Sequence, residues 1–119
     1  MRELEQDLKE GTILIDCHSF PSRISNDVDV NIGFNDDWSK PPVDVLNGIS
    51  EIFSRVGYKV EWNKPYSNSI TPSFGNYHSM MIELNKKTYM NEDTLMPYAD
   101  LYKGIGRCIN NTYDFLLGQ

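Results

Sequence analysis

The sequence predicts an α/β fold in which a mixed β-sheet of about four strands is flanked by helices. Three aliphatic residues in a row at 13–15 are typical of a buried strand. Apolar residues then recur every three or four positions after residue 42 and again after residue 97, which is typical of amphipathic helices. Segments with alternating apolar and polar residues lie between them. The predicted order of elements is therefore β-β-α-β-β-α.

The first third of the chain predicts a helix end and two strands. Residues 2–10 are charged with leucines at helical spacing, and they lead into a first strand over about residues 12–17. The polar stretch 19–29 predicts a loop at the carboxyl end of that strand. Apolar residues alternate with polar ones from 28 to 32, which predicts a short second strand.

The first complete helix is predicted to open at Pro41 and Pro42, because proline suits the first turn, and to end at Gly57. Its apolar stripe consists of Val45, Leu46, Ile49, Ile52, Phe53 and Val56. A third strand is predicted over 58–62. The loop 63–76 that follows is long enough to suggest a function.

The last part of the chain predicts a fourth strand over 77–84 and a long helix opened by Pro97. The buried face of this helix is predicted to consist of Tyr98, Leu101, Tyr102, Ile105, Cys108, Ile109 and Leu116. By length, residues 1–119 are expected to form a single α/β domain.

Composition excludes several classes of partner. The formal net charge of −6 disfavours non-specific binding to nucleic acid or to an anionic membrane. No apolar run approaches the roughly 18 residues that a membrane helix needs, and the charged N-terminus does not resemble a signal peptide. We therefore expect a cytoplasmic protein with no membrane and no nucleic-acid partner.

Cys17 and Cys108 are expected to be free thiols, Cys17 within a buried strand and Cys108 on the apolar face of a helix. A cysteine hydrolase that uses Cys17 is a minor alternative. Cys17 would lie on the opposite strand face from His18, and a nucleophile and its base must be within hydrogen-bond reach.

The first strand ends in a cluster of ionisable and polar residues. Asp16 and His18 are two positions apart, so their side chains share a face of the strand. A carboxylate beside an imidazole can fix its tautomer and raise its basicity. Ser19 and Arg23 follow closely. The alternative, a histidine that merely closes a strand with a hydrogen bond, is at least as common.

Glu83 is the acidic residue of the fourth strand, flanked by Ile82 and Leu84. We expect it to be at least partly buried, and a carboxylate buried without a partner suits a general base or acid. The alternative is a glutamate at the strand end that faces solvent. By strand parity His78 points to the opposite face, which makes it a structural or supporting group unless a bulge intervenes.

Three stretches in this order resemble the N-formylglutamate amidohydrolase family, a relative of the zinc carboxypeptidases. They are Ile15-Asp16-Cys17-His18-Ser19-Phe20-Pro21, Asn63-Lys64-Pro65-Tyr66, and Ile82-Glu83-Leu84-Asn85 with Tyr89-Met90 shortly after. The resemblance spans residues 12 to 117. It implies part of the zinc-carboxypeptidase/phosphorylase-hydrolase-like fold.

The resemblance also implies a chemistry. Zinc would be the cofactor, with His18 as one of its ligands. Glu83 would be the general base that activates a metal-bound water to hydrolyse N-formyl-L-glutamate to formate and glutamate, or to hydrolyse another N-acyl amino acid. Arg23, Asn63 and Tyr66 would bind the carboxylates of this small-molecule substrate. Asp16, Ser19 and His78 would support these groups without touching the substrate.

The sequence also departs from the family. Members carry a His/Glu ligand pair and an arginine segment upstream of the Asp-x-His-Ser strand, whereas here only eleven residues precede that strand. After Asn-x-Pro-Tyr the family usually continues with glycines, but this chain has Ser67-Asn68-Ser69. The chain is therefore expected to correspond to the C-terminal portion of such an enzyme. The alternative function is a non-enzymatic binding or assembly module, through self-association or pairing with a missing N-terminal half.

Overall fold

A four-stranded mixed sheet organises the computed structural model, which describes residues 12–64, 66–67 and 77–118. The strands are β1 (Thr12–Phe20), β2 (Val30–Gly33), β3 (Val60–Trp62) and β4 (Tyr77–Asn85). Their spatial order is β1-β4-β2-β3, with β1 parallel to β4, β2 parallel to β3, and β2 antiparallel to β4. The predicted α/β class and the mixed sheet are confirmed. The predicted helix at 2–10 and most of the loop 63–76 lie outside the described residues.

The first strand is longer than its sequence predicts. It continues to Phe20, because its pairing with β4 runs without interruption from Thr12 opposite Tyr77 to Phe20 opposite Asn85. Backbone pairing with a neighbouring strand outweighs the polar character of residues 16–19. The predicted placement of this cluster at the end of a strand is therefore wrong: the cluster lies within the strand, on the surface of the sheet.

One face of the sheet, here called the helix face, packs against two helices, α1 (Val43–Ser54) and α2 (Ala99–Leu117). The core between sheet and helices is one apolar cluster of residues that alternate along the strands and recur along the helices. Its buried members are Val30, Ile32, Phe34, Val45, Leu46, Ile49, Phe53, Met80, Ile82, Ile105 and Cys108.

The first helix follows its predicted pattern except at the end. Pro42 is its N-cap, and the chain leaves the helix through Gly57, whose φ is +101°. This backbone conformation favours glycine. Val56 was predicted to be buried, but it is 61% exposed, because the helix ends at Ser54 and the turn carries Val56 away from the sheet.

The second helix begins later than predicted. Pro97 belongs to a two-stranded hairpin of β5 (Met90–Asn91) and β6 (Met96–Pro97), and Tyr98 is the N-cap of α2. The first residue of α2 that belongs to the core cluster is Ile105. The predicted burial of the first-turn residues is therefore wrong: Tyr98, Leu101 and Tyr102 are each more than two-fifths exposed. Among the described residues, no helix has the length and apolarity needed to cross a membrane.

The opposite face of the sheet, here called the loop face, carries the polar residues. Connecting segments cover part of it. The buried Asn85 donates from Nδ2 to the carbonyl oxygens of Ser25 and Val28, which holds the β1–β2 connection against the sheet. The amide of Ser79 donates to the carbonyl of Ser39, so the β2–α1 connection continues the pairing beyond the end of β2.

Candidate functional site

A row of polar side chains crosses the loop face. His18 on β1 is the register partner of Glu83 on β4, and Glu83 is in turn the register partner of Asn31 on β2. Paired residues on neighbouring strands lie on the same face, about 5 Å apart at Cα. Roles at one metal-bound water require His18 and Glu83 to be neighbours, and the register confirms this, while the chemical roles themselves stay predictions.

Asp16 and His18 contact each other, as their spacing predicts. The distance from His18 Nε2 to Asp16 Oδ2 is 2.5 Å, and the two side chains are 46% and 29% exposed. The contact fixes the orientation of the ring and engages Nε2, so Nδ1 is the nitrogen left for a ligand. A solvent-accessible imidazole with one nitrogen held by a carboxylate is suited to metal binding or proton transfer.

Glu83 is buried, with 5% of its surface exposed, so the alternative of a solvent-facing glutamate is wrong. The carboxylate is not without a partner, however. Asn31 Nδ2 donates to Glu83 Oε1 at 2.9 Å. A hydrogen bond offsets part of the cost of burying a polar group and fixes the orientation of the carboxylate.

Asn31 is the residue of this site that the sequence analysis did not single out. It is fully buried, and it also donates from Nδ2 to the carbonyl oxygen of Tyr66 at 2.8 Å and accepts at Oδ1 from the amide of Lys64 at 2.9 Å. The signal was available: an asparagine between Val30 and Ile32 in a short apolar strand must find buried hydrogen-bond partners.

The segment after β3 lies against β2. Asn63 has a φ of 57°, accepts at Oδ1 from the amide of Phe34 at 2.8 Å, and donates its own amide to Ile32. Asparagine tolerates this left-handed conformation better than most residues, so Asn63 turns the chain onto the loop face. Its side-chain oxygen is therefore engaged in holding the backbone.

Gly33 lets this segment approach closely. A Cβ at Gly33 would lie 3.0 Å from the carbonyl oxygen of Tyr66 and 3.0 Å from the carbonyl carbon of Ser67. Backbone atoms cannot move aside as a side-chain tip can, so the approach requires glycine. Residues 63–64 and 66–67 thus form one wall of the site, and the half-exposed Tyr66 belongs to it.

An ion pair holds the same wall from outside. Lys64 Nζ lies 3.0 Å from Asp27 Oδ2. The hydrogen bond from Lys64 lowers the pKa of the Asp27 carboxyl, and the same bond raises the pKa of Lys64. Both groups are solvent-exposed, so salt screens this attraction strongly.

Three of the predicted site residues lie away from this row. Ser19 is exposed on the opposite face of β1, opposite Leu84, as period-two alternation requires. His78 also points to the helix face, as predicted, and its buried Nδ1 has no hydrogen-bond partner among the described residues. Arg23 is exposed in the turn after β1. The neighbouring Ser22 donates from its amide and hydroxyl to Glu92, which anchors this turn to the β5–β6 hairpin and lowers the pKa of Glu92.

Cys17 is exposed, contrary to expectation, because β1 is at the edge of the sheet. It points away from the shared face of Asp16 and His18 and lines a small apolar cavity with Ile109 and Tyr113, which His18 also borders. The charge of the neighbouring Cys17, followed by burial, raises the pKa of Tyr113. The opposite-face placement of Cys17 and His18 does not support a cysteine nucleophile.

The donor set of this region does not by itself make a zinc site. Catalytic zinc takes three protein ligands, usually histidines and a carboxylate. Within residues 12–64, 66–67 and 77–118, no group of three His, Cys, Asp or Glu side chains could hold a metal ion. His18 fits as one ligand, and any further ligands must come from outside the described residues.

Two comparisons with known proteins bear on the family and the fold of this chain. The sequence model of the N-formylglutamate amidohydrolase family matches residues 1–90. The chain belongs to this family. The match includes β1, the β3–β4 connection and β4, and hence the three stretches that carried the resemblance.

A solved structure has the same fold as this chain. The chain is similar to the crystal structure of N-formylglutamate amidohydrolase from Ralstonia eutropha JMP134, with a TM-score of 0.73 and 19% sequence identity. The similarity covers 89% of this chain and 44% of that one, so this chain spans less than half the length of that relative. No curated protein matches the sequence.

Proposed function

We propose that this chain is part of an amide hydrolase of the N-formylglutamate amidohydrolase type and that it carries the general base of that enzyme. The observation that carries the proposal is the register pairing of His18 with Glu83 on the loop face. Family membership agrees with it. An accessible imidazole beside a buried carboxylate is suited to the hydrolysis of an unactivated amide.

Glu83 acts as the general base in this proposal. Asn31 engages Oε1, so Oε2 takes the proton from the attacking water and then delivers it to the leaving amine. Zinc is the proposed cofactor, and His18 is the one ligand that we assign to it in this chain. When bound, zinc would polarise the amide carbonyl and acidify a water.

The proposed substrate is an N-acyl amino acid, with N-formyl-L-glutamate as the first candidate. Tyr66 lies on the wall of the site. Asn63 can offer only its amide nitrogen, because its oxygen accepts from Phe34. Arg23 stands on the exposed turn that follows β1 and could pair with a carboxylate bidentately.

Formate release from N-formyl-L-glutamate, measured with and without added zinc, tests the proposal. Glu83→Gln keeps the shape and should lower kcat by roughly 100-fold or more, as expected for loss of a general base. Glu61→Gln is the matched control, because Glu61 is the register partner of Asn31 at the far end of the same row. Hydrolysis in zinc at equal rates for the wild type and Glu83→Gln contradicts the role of Glu83. Absence of hydrolysis in zinc shows that the chain does not form a hydrolase with the metal ligands that it carries itself.

A second candidate function, assembly with another polypeptide, has a specific observation in its favour. β1 forms one edge of the sheet, and among the described residues its nine-residue strand pairs on one side only. Such an edge offers unpaired backbone groups to another strand. Light scattering on the full chain discriminates: a strict monomer over a wide concentration range excludes self-association.

A further inference from the structure

We propose that Asn31 is a positioning residue that holds the carboxylate of Glu83 and ties it to the backbone of Lys64 and Tyr66. The inference rests on the proposed function only for the role of Glu83 as a base. The tie between strand and segment stands on geometry alone.

Both side-chain donors of Asn31 and its side-chain oxygen are engaged. Its nitrogen donates to Glu83 Oε1 at 2.9 Å and to the carbonyl oxygen of Tyr66 at 2.8 Å, while its oxygen accepts from the amide of Lys64 at 2.9 Å. The opposite orientation of the amide would place its oxygen against two acceptors and its nitrogen against a donor. The surroundings therefore fix Asn31 in one orientation, and Asn31 in turn fixes one oxygen of Glu83.

The partners of Asn31 belong to two different parts of the site. Glu83 is on the central strand β4, whereas Lys64 and Tyr66 belong to the wall that follows β3. Asn31 is fully buried between them. Displacement of the wall would leave a side-chain donor of this buried residue unpaired, and a buried polar group without a partner is costly.

A second contact two residues further along β2 supports the tie. Gly33 lies on the same face as Asn31, and the backbone of Tyr66 and Ser67 passes within 3.0 Å of the position that a Cβ would take. Asn31 and Gly33, which alternate along β2, thus both contact the wall of the site, Asn31 through hydrogen bonds and Gly33 through close backbone packing. A ligand that contacts Tyr66 would be coupled through Asn31 to the base.

The sequence offers a close control for Asn31. Asn85 is also a fully buried asparagine of the loop face, and its side chain also makes three hydrogen bonds, to Ser25, Val28 and Lys87. None of these partners is Glu83 or the wall segment. Asn31→Asp and Asn85→Asp therefore remove similar numbers of donors at similar burial, and only Asn31→Asp affects the proposed tie.

Three measurements test the proposal on the full chain. In Asn31→Asp, kcat for N-formyl-L-glutamate should fall roughly 10- to 100-fold with a smaller change in KM, the scale expected for a misplaced catalytic group, and Asn85→Asp should change kcat little. Chymotryptic cleavage after Tyr66 should accelerate in Asn31→Asp and not in Asn85→Asp. The side-chain amide NMR signals of Asn31 should shift in Glu83→Gln.

The last two measurements do not depend on activity, so failure of the proposed function and failure of this inference are distinguishable. If the protein has no hydrolase activity, but cleavage after Tyr66 accelerates in Asn31→Asp and the Asn31 signals shift in Glu83→Gln, the positioning role stands and the proposed hydrolase function fails. Unchanged cleavage at Tyr66, unchanged Asn31 signals, or an active Asn31→Asp with the kcat of the wild type overturns the inference.

Discussion

Glu83 stands between His18 on one neighbouring strand and Asn31 on the other, as the register partner of both. The carboxylate is buried, Asn31 donates to one of its oxygens, and the accessible imidazole of His18 is held by Asp16. The carboxyl group of Glu83 on β4 thus lies between a side that faces solvent, towards His18, and a closed side, towards Asn31. The side of His18 is therefore the more open approach to this carboxylate.

The two cysteines should differ sharply towards a thiol reagent. Cys17 is exposed on an edge strand, whereas Cys108 is 2% exposed and its burial raises the pKa of its thiol. Because the thiolate is the reactive form, native protein should label at Cys17 first and at Cys108 only on unfolding. Peptide mapping after a short treatment checks this. Early labelling of Cys108 would contradict the packing of α2 against the sheet.

Two helical glycines should respond oppositely to alanine. A Cβ at Gly48 would lie 2.2 to 2.8 Å from ring atoms of Phe115, whereas a Cβ at Gly106 meets nothing within 4 Å among the described residues. We expect Gly106→Ala to raise the free energy of unfolding by about 0.5–1 kcal/mol through helix propensity. Gly48→Ala should lower it by about 1–2 kcal/mol, because overpacking outweighs that gain.

Urea unfolding of both glycine variants measures these changes. The sign for Gly48 depends on the contact between α1 and α2. An increase in stability for Gly48→Ala would mean that the two helices are not packed through Phe115.

The two hydrogen bonds from Ser22 to Glu92 should make the free energy of unfolding depend on pH. Two hydrogen bonds from Ser22 hold the pKa of Glu92 below its ordinary value of 4.5. A carboxyl whose pKa is lower in the folded state stabilises the fold above its unfolded pKa, and this contribution is lost as the pH falls through the folded value. The stability difference between wild type and Glu92→Gln should therefore be largest near neutral pH and vanish in acid.

Unfolding curves of the wild type and Glu92→Gln, recorded from neutral pH into acid, check this pH dependence of stability. Asp93→Asn is the neighbouring exposed control. A gap between wild type and Glu92→Gln that widens in acid would show that Ser22 does not hold the ionised form.

The ion pair between Lys64 and Asp27 should matter less to the wall of the site than Asn31 does. The pair is exposed and screened, whereas Asn31 is itself fully buried and its bond to Lys64 is partly buried. Asp27→Asn should accelerate chymotryptic cleavage after Tyr66 only slightly, and less so in high salt. Faster cleavage in Asp27→Asn than in Asn31→Asp would reverse this ranking of the two contacts.

Prediction from the sequence succeeded where the pattern is local. The apolar stripe of the first helix, the shared face of Asp16 and His18, and the opposite face of His78 all follow from periods of 3.6 and 2 residues, which need no knowledge of neighbours. The same period places Ser19 away from His18. Errors arose at element ends, as at Val56 and in the polar end of β1, because pairing and termination depend on neighbours.

By itself, the sequence determined the α/β class, the faces of the strands and the two groups, His18 and Glu83, whose neighbourhood the family resemblance implied. Only the tertiary structure decided that these groups are register partners, that Asn31 donates a hydrogen bond to Glu83, and that Asn63 and Gly33 bring the wall onto the sheet. The reason is physical. Side-chain alternation is a property of one strand, but register and these hydrogen bonds arise between residues 33 to 65 positions apart, and no local period records them.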